Sequence, residues 1–452
     1  MLCSIFSFTE HSIALIMKLL QSITNCTFQT LSDLDAVHLL GNSFASELEW
    51  LKNATPTVES SRSASPTGAL TPSYALYGAE YPEVNRTLTS MLAVKWLMAE
   101  DYVAFTGGQC PLIRLTPGSF QELRGLLLES CPCPESIYAL LVAIAVNDLG
   151  KNNDLAELVT SITGQNFRDH DDVVYAAAKE HLFPSFESMR PVLYSDLLLG
   201  LELGSRLNIA QFAQAECVTA SLKGVTIMSG RDRALAMKLM EVILDVAGAS
   251  GHIDTYCAAQ MTESVFQTFL VVHESLFNIL SGQMSPEQGY NCVLLARAEM
   301  LRDAGFQRRL LINDPADRAL TRLLTMGRVV DAERACCFAL AFDNLTPETR
   351  QSLVNALNVD DTSGQVSILF SYAPAIISQA LKNTKGNEHQ MLVLSALMRF
   401  LARIYTHEKA HPGRRDCNVR DVCLAFAQET IKSDRFRKNP RLLDYLPIPI
   451  QR

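Results

Sequence analysis

Acidic side chains lie at the ends of apolar helical segments between residues 137 and 186 of the sequence. The apolar run Tyr138–Val146 is followed by the letters NDLGK, in which Asp148 comes directly after the predicted helix. Helix termination explains Gly150 and Lys151. It does not explain Asp148, because the dipole of a helix disfavours a carboxylate at the C-terminus. We therefore expect Asp148 to have a partner, which is a cation, a metal ion or the N-terminus of another helix.

A second acidic group, with the sequence DHDD at residues 169–172, precedes the predicted helix Val173–Lys179. One aspartate of the group is expected to cap this helix. A cap needs only one carboxylate, so the remaining acids and His170 are free for another role. They are suited to binding a metal ion or an ammonium group, or to transferring protons. The alternative is that the whole group serves the helix N-terminus.

Glu241 and Asp245 lie one turn apart on the predicted amphipathic helix Asp232–Ala247. A carboxylate among apolar residues is costly unless it is paired. The glycine-rich turn at 248–251, which leads to His252 and Asp254, would let the backbone approach a ligand closely. The alternative is a surface helix followed by a flexible loop. Arg302 belongs to a weaker candidate, a charged group around a predicted turn that is suited to holding an anion.

The elements that position these residues are predicted to be helices. Apolar residues make up 48% of the 452 residues and charged residues 19%, which is enough apolar material for a large core. Alternation typical of strands is almost absent, and no repeat of fixed length is found. The sequence predicts an all-α fold with a single large multi-helix domain. We expect a helical segment at 1–52, a flexible or disordered Ser/Pro-rich insertion at 53–82, and the main domain at 83–452.

Composition limits the classes of protein to consider. The longest apolar run, Ile137–Val146, has ten residues, whereas a membrane span needs about twenty. Twelve cysteines lack zinc-site spacing, as expected for reduced thiols of a cytosolic protein. The net charge of −9 argues against broad nucleic-acid binding. Residues 403–452, however, hold eleven Lys and Arg against six Asp and Glu, a local charge of +5 that leaves −14 elsewhere. This basic tail either contacts phosphates or forms an ordinary solvated surface.

Several common catalytic motifs are absent from the sequence. It has no GxSxG nucleophile motif, no HExxH zinc motif, no Walker lysine loop and no GxGxxG dinucleotide motif. Acid-base, metal-assisted and positioning chemistry stay open.

The order of an apolar helix, NDLGK, DHD and a later aspartate on a helix resembles the HD-domain metal phosphohydrolases. Those enzymes carry HD-(L/I)-G-K after the apolar helix. Asn147 stands where they have a metal-binding histidine. This departure puts an intact HD metal site in doubt, and we predict no metal ligand.

A second resemblance covers about residues 84–405. The segments NDLGKNNDLAELV, DHDDVVYAAAKEHLFPSF, LDVAGASGHID and LLARAEMLRDAGF are similar to landmarks of the fungal arginine-containing cyclodipeptide synthases. So are NDPADRALTRLLTMGR, NALNVDD and PAIISQALKN. The chain departs from the DDxxE motif associated with that family. Asp171-Asp172 and Asp360-Asp361 are not followed by glutamate at that spacing.

This resemblance implies an enzyme of secondary metabolism that joins arginine to a second amino acid as a cyclic dipeptide. Its partners would be aminoacyl-tRNAs, one charged with arginine, and it would need no cofactor. An acidic pocket would pair with the guanidinium group. The basic tail would contact tRNA phosphates.

We predict that the acidic groups form one pocket in which Asp148 and Asp171 bind the guanidinium or amine and His170 relays protons. The predicted catalytic residues are Asp148, His170, Asp171 and Asp245. The residues predicted to bind substrate are Asp172, Glu241, His252, Asp254 and Arg302. The alternatives are an HD-like metal-dependent phosphohydrolase and a non-catalytic helical binding protein, in which these residues only cap helices.

Overall fold

A computed structural model describes residues 10–55, 70–167, 169–252, 257–359, 367–382, 384–410 and 419–449. The fold is all-α, as predicted. In the described residues, the only β-structure is a pair of parallel three-residue strands, β1 (Ser367–Leu369) and β2 (Val419–Asp421). The chain forms two compact units. The first comprises Met1–Leu207 and Ile227–Phe269, and the second Asn208–Thr226 and Leu270–Arg452.

The α-helices are numbered in chain order. The first eleven are α1 (Glu10–Thr24), α2 (Asp33–Ser43), α3 (Ala45–Lys52), α4 (Pro72–Tyr77), α5 (Pro82–Met98), α6 (Tyr102–Thr106), α7 (Pro117–Ser130), α8 (Pro134–Val146), α9 (Asn153–Thr163), α10 (His170–Lys179) and α11 (Pro191–Arg206). The others are α12 (Ile209–Ala213), α13 (Asp232–Gly248), α14 (Glu263–Leu280), α15 (Pro286–Asp303), α16 (Pro315–Met326), α17 (Ala332–Asp343), α18 (Pro347–Asn358), α19 (Ala373–Leu381), α20 (Gly386–Ala410), α21 (Gln428–Lys432) and α22 (Asp434–Lys438).

Short 3₁₀ helices connect some of these elements. They span Phe28–Thr30, Leu149–Lys151, Pro184–Ser188, Thr219–Met228, Leu424–Ala427 and Pro440–Tyr445. The segment Leu149–Lys151 follows α8 after two intervening residues. The chain beyond Asp148 therefore forms a tight helical turn and not an open loop. This turn brings Lys151 close to the start of α5.

The segment predicted as a flexible linker at 53–82 needs correction in its second half. Thr71 caps α4 by accepting a hydrogen bond from the Tyr74 amide, and Pro72 occupies the first turn. The buried Ser73 amide donates to Asn85 Oδ1 at 2.8 Å, which attaches α4 to α5. The Thr-Pro cap signal and this buried polar contact outweigh the polar composition. Residues 56–69 of the predicted disordered insertion lie outside the described residues.

Helices α5, α8 and α13 form the centre of the first unit. All residues of the apolar run Tyr138–Val146 are buried, as expected for a core helix. Helix α13 packs closely against α5 at its C-terminal end. A Cβ atom on Gly248 would lie 2.0 Å from Ser90 Oγ, and one on Gly251 would lie 2.5 Å from the Asn85 carbonyl oxygen. These glycines therefore permit contact between helices. Residues 253–256 of the predicted loop lie outside the described residues.

The second unit is built around the long helix α20, which packs against α17 and α18. The segment Pro440–Tyr445 also packs against α20 and against α22. Within this unit, the buried Arg322 donates to the carbonyl oxygens of Cys217 at 3.0 Å and Leu357 at 2.7 Å. These bonds fix the end of α18.

No single helix of the described chain is both long and apolar enough to cross a membrane. The segments Pro117–Ser130 and Pro134–Lys151 meet that criterion only when joined across a bend of 104°.

Candidate functional site

Four elements of the first unit bring charged side chains together, most of them buried or half-buried. They are the first turn of α5, the 3₁₀ turn after α8, the N-terminus of α10 and the second half of α13. We call this group the ionic cluster. Its members are Glu83, Arg86, Asp148, Lys151, Asp169, His170, Asp171, Lys238, Glu241 and Asp245.

Lys151 connects α5 to the end of α8. Its Nζ lies 2.7 Å from Asp148 Oδ1 and 3.1 Å from Glu83 Oε2. On α5, Arg86 Nη1 donates to Glu83 Oε1 at 3.1 Å. Burial alone would raise the pKa of Asp148, but Lys151 and Arg86 hold it well below its usual range. Burial, followed by repulsion from Asp148, raises the pKa of Glu83. Asp148 thus has the cationic partner that the sequence required.

Gly150 allows the N-terminus of α10 to lie directly on this turn. A Cβ atom at Gly150 would stand 2.0 Å from the carbonyl oxygen of His170 and 3.0 Å from its Cα. Such distances are sterically forbidden, so only glycine permits the observed contact. Gly150 and Lys151 are therefore parts of the site, and their interpretation as a simple helix stop is wrong.

His170 stands between two carboxylates. Its Nδ1 lies 2.9 Å from Asp169 Oδ1 and its Nε2 lies 3.5 Å from Asp171 Oδ1. Asp169 also caps α10 by accepting a hydrogen bond from the Asp171 amide at 3.0 Å, so the predicted cap is confirmed. Burial opposes the imidazolium, but Asp171 and Asp169 raise the pKa of His170 to about 9. The imidazole is therefore protonated at neutral pH.

Helix α13 contributes a buried ion pair and an unpaired acid. Lys238 Nζ lies 2.6 Å from Glu241 Oε1, three residues along the same helix. Burial, only partly offset by Lys238, raises the pKa of Glu241 to about 7. One turn further on, half-buried Asp245 lies near Asp148, Arg86 and Lys151. Among the described residues it has neither a hydrogen-bond partner nor an ion pair.

Carboxyl groups outnumber cations in the ionic cluster. It holds six carboxyl groups against three Lys or Arg side chains and one histidine, which leaves an excess of two carboxyls even when His170 is protonated. Burial raises the pKa of Asp171 and of Asp245, where repulsion from Asp148 adds to the effect. Buried charge that is not fully paired is unfavourable for stability and is typical of functional sites. A cationic ligand would relieve it.

One part of the cluster also has the composition of a metal site. The ligand atoms of Asp169, His170 and Asp171 all lie within 4.8 Å of one another. A metal ion would have to displace a proton from His170, because each ring nitrogen faces a carboxylate oxygen. The arrangement in the structure is instead an imidazolium held by two acids.

A groove of about 630 Å³ runs along the outer side of α10. Asp172, Tyr175 and Lys179 line it from α10, and Glu202 and Arg206 line it from α11. Lys179 Nζ stands 5.4 Å from the centre of the Tyr175 ring. Burial and the nearby Asp169 raise the pKa of Asp172, which places the inner end of the groove beside the Asp169–His170 part of the cluster.

Residues 37–443 match the model of one protein family, described as a family of unknown function, DUF6829. The chain belongs to the DUF6829 family. The matched range contains every member of the ionic cluster and all residues that line the groove. No curated protein matches the chain, and no solved structure matches it. The resemblances to HD domains and to cyclodipeptide synthases stay predictions.

The structure of this DUF6829 member brings most of the predicted residues together. Asp148, His170, Asp171, Asp245 and Glu241 all lie in the ionic cluster. Asp172 faces the neighbouring groove.

The other predicted binding residues lie elsewhere. His252 is half-buried in the turn after α13. Asp254 lies outside the described residues, as do Asp360 and Asp361. Arg302 belongs to the second unit, where it is exposed and pairs with Asp303 at 3.2 Å. Its side chain stands at a solvated helix end, outside the described contacts of the ionic cluster, and its assignment to the substrate site stays a prediction.

Sequence reasoning missed four members of the cluster, namely Glu83, Arg86, Lys151 and Lys238. Glu83 with Arg86 and Lys238 with Glu241 are opposite charges three residues apart on otherwise apolar helices. Such pairs usually indicate a solvated helix face. In this fold Glu83 and Lys238 are buried and Arg86 and Lys151 are half-buried. The sequence signal that could have identified them is a pair of opposite charges within a helix that is otherwise mainly apolar.

We predict that Gly150→Ala destabilises the protein by about 1–3 kcal/mol or more, because the added Cβ forces α10 away from the turn. Gly125→Ala is the matched control. Gly125 is an exposed residue of α7 with open space around its Cα, so alanine there should stabilise by roughly 0.5–1 kcal/mol. Urea unfolding of both variants measures the difference. Equal effects would contradict the close contact at Gly150.

We predict that the stabilisation from His170 depends on pH. Its pKa rises from the ordinary 6.5 to about 9 on folding, so its contribution is complete below pH 6.5 and is lost as the pH rises through 9. The difference in unfolding free energy between the wild type and His170→Gln should therefore shrink over that range. His38→Gln, at an exposed site on α2, should change stability by less than about 0.5 kcal/mol. If NMR showed the His170 imidazole titrating below pH 7, the stabilisation of its protonated form by Asp169 and Asp171 would be refuted.

Proposed function

We propose that the ionic cluster binds the guanidinium group of an arginyl substrate in a tRNA-dependent synthase. The product would be a cyclic dipeptide of arginine and a second amino acid. The observation that carries the proposal is Asp245, a half-buried carboxylate with no ion pair in the described structure, beside Asp148 and Glu241 in a cluster with excess acid. The reaction class comes from the sequence resemblance.

A guanidinium group suits this cluster better than a point charge. Its planar fork of donors pairs with two carboxylate oxygens at once, and it is weakly hydrated, so it is transferred from water at lower cost than an ammonium group. Asp245 is available for such pairing, whereas Asp148 already accepts from Lys151 at 2.7 Å. Asp148 then serves to position Lys151 and to add negative potential.

The proposed reaction needs one proton acceptor and one proton donor. The α-amine of one aminoacyl group attacks the ester carbonyl of the other, so a C–N bond forms and the ester C–O bond breaks. The amine gives up a proton and the departing ribose oxygen of the tRNA takes one. A second, intramolecular attack closes the ring and releases the second tRNA. Protonated His170 is suited to donate to the departing oxygen. A carboxylate of raised pKa, such as Glu241 or Asp171, is suited to accept from the amine.

The groove along α10 provides room for the rest of the substrate. Its inner end at Asp172 adjoins His170, and Tyr175 offers an aromatic wall. A volume of about 630 Å³ is in the range of small-molecule sites. An aminoacyl group held in the groove would place its ester near the imidazolium.

We predict that purified protein supplied with a pool of charged tRNAs forms cyclo-Arg-Xaa products, detected by mass spectrometry. Asp245→Asn should lower product formation about a hundredfold or more while leaving the unfolding midpoint unchanged or higher. The reason is that the amide removes an acid that Asp148 repels and that has no direct ion pair among the described residues. Asp148→Asn should lower stability, because it leaves Lys151 with one partner fewer.

Glu47→Gln is the matched control for a buried acid outside the cluster. Glu47 is buried and accepts from the Ser185 amide at 3.0 Å, and burial raises its pKa, so a neutral amide should be tolerated. This variant should keep its activity. Absence of product with every amino acid would reject the proposed reaction. Full activity of Asp245→Asn would reject the assigned site.

The metal-dependent phosphohydrolase is a second candidate, favoured by the three ligand atoms of Asp169, His170 and Asp171 within 4.8 Å. We expect protein dialysed against Mn²⁺, Fe²⁺ or Mg²⁺ to hold no more metal than the double variant D169N/D171N, because His170 is protonated. Elemental analysis measures this. Stoichiometric metal in the wild type only, together with phosphate release from nucleotides, would favour the second candidate instead.

A further inference from the structure

The last described segment of the chain is held firmly on α20 in the second unit. Phe436 and Leu443 are buried in the core of that unit. Arg399 of α20 binds Asp444 with two parallel hydrogen bonds of 2.9 and 3.0 Å. Arg403, one turn further on, donates to the carbonyl oxygens of Asp444 and Leu446. The segment 435–445 is thus anchored by apolar contacts and by cations that belong to α20.

The outer side of this anchored segment carries cations without partners. Arg435, Lys438 and Arg441 are exposed, and none of them forms an ion pair within the described structure. Arg437 pairs with Asp434 at 2.9 Å, also at the surface. Asp444, the other acid of the segment, is engaged by Arg399. The basic face, defined as Arg435, Lys438, Arg441 and Tyr445, therefore has a charge of +3.

Tyr445 adds an aromatic ring to the basic face. Its side chain is 81% exposed, among the most exposed of the large apolar and aromatic residues that the structure describes. An exposed ring beside uncompensated cations is the pairing that proteins use for RNA, in which bases stack on aromatic rings while cations follow the phosphates. A solvated surface would usually alternate charges of both signs.

We propose that the basic face docks the phosphate backbone of RNA, with Tyr445 stacking on an unpaired base. The choice of tRNA as the RNA rests on the proposed function. Anionic membranes fit less well, because they favour several inserted apolar side chains, and in this segment a single ring is exposed among the cations. Because the net charge of the chain is −9, attraction to RNA has to come from local basic surface such as this face.

The test uses uncharged tRNA and the full-length protein, so it does not depend on catalysis. Three phosphate contacts predict a slope of log affinity against log salt of about −2 to −3. A fourfold rise in salt should then weaken binding roughly thirtyfold. The triple variant R435E/K438E/R441E should lose most of the affinity and of this slope. Y445A should weaken binding about tenfold, as expected for one stacked base, with little change in slope.

The matched control is the double variant R309E/K385E, which reverses exposed cations elsewhere in the second unit. It should bind tRNA within about twofold of the wild type. The neutral variant R435Q/K438Q/R441Q separates lost attraction from new repulsion and should also lose the salt slope. Circular dichroism checks that each variant keeps its helices, and the anchoring residues Phe436 and Arg399 are left unchanged.

The outcomes separate the docking proposal from the enzymatic one. Loss of tRNA binding in the triple variant, without any cyclic dipeptide from the wild type, would support docking and reject the reaction. Product formation with tRNA affinity unchanged in the triple variant would overturn docking alone. Equal affinity for duplex DNA of the same length, or tighter binding to phosphatidylserine vesicles, would overturn RNA as the occupant.

Discussion

The pairing of the half-buried Lys151 ammonium group with two carboxylates is the interaction on which the site depends. It holds Asp148, at the end of α8, against Glu83, at the start of α5. Without this cation the two carboxyl groups would repel each other, and the turn after α8 would have no reason to fold inward. With it in place, Gly150 lies against the backbone of His170 and α10 begins where its first residues face the same interior. Two ion pairs of one lysine and a single missing Cβ thus connect three elements.

The two units use buried charge in different ways. In the second unit, Arg322 directs its guanidinium group to backbone carbonyl oxygens and stacks near the Tyr290 ring at 5.5 Å. Its donors are used within the protein, so it works as a structural connection. In the first unit, the ionic cluster keeps Asp245 unpaired among the described residues and holds more acids than cations. A group that reduces stability and is nevertheless built into the core is more readily explained by a ligand than by folding.

The protonated His170 gives the cluster a donor at neutral pH, and the raised pKa values of Glu241 and Asp171 give it acceptors. This combination is suited to acid-base chemistry and does not by itself specify the reaction. The match to the DUF6829 family covers residues 37–443. The ionic cluster, the groove and three of the four residues of the basic face lie within this range. Substrate recognition in the first unit and RNA docking in the second would divide the work between the two units of one chain.

The sequence by itself determined the all-α class and several helix ends, because capping residues and prolines act over a few neighbours, but it missed α4. Asp169 of the DHDD group caps α10, as its position predicted. It also singled out Asp148, because a carboxylate at a helix C-terminus needs a partner. It could not identify Lys151, Glu83 or Lys238 as members of the site, since a charge pair on a helix looks the same whether water or protein surrounds it. Only the tertiary structure decided that, by bringing Gly150 onto α10 and α13 onto α5, so that charges distant in sequence share one low-dielectric interior.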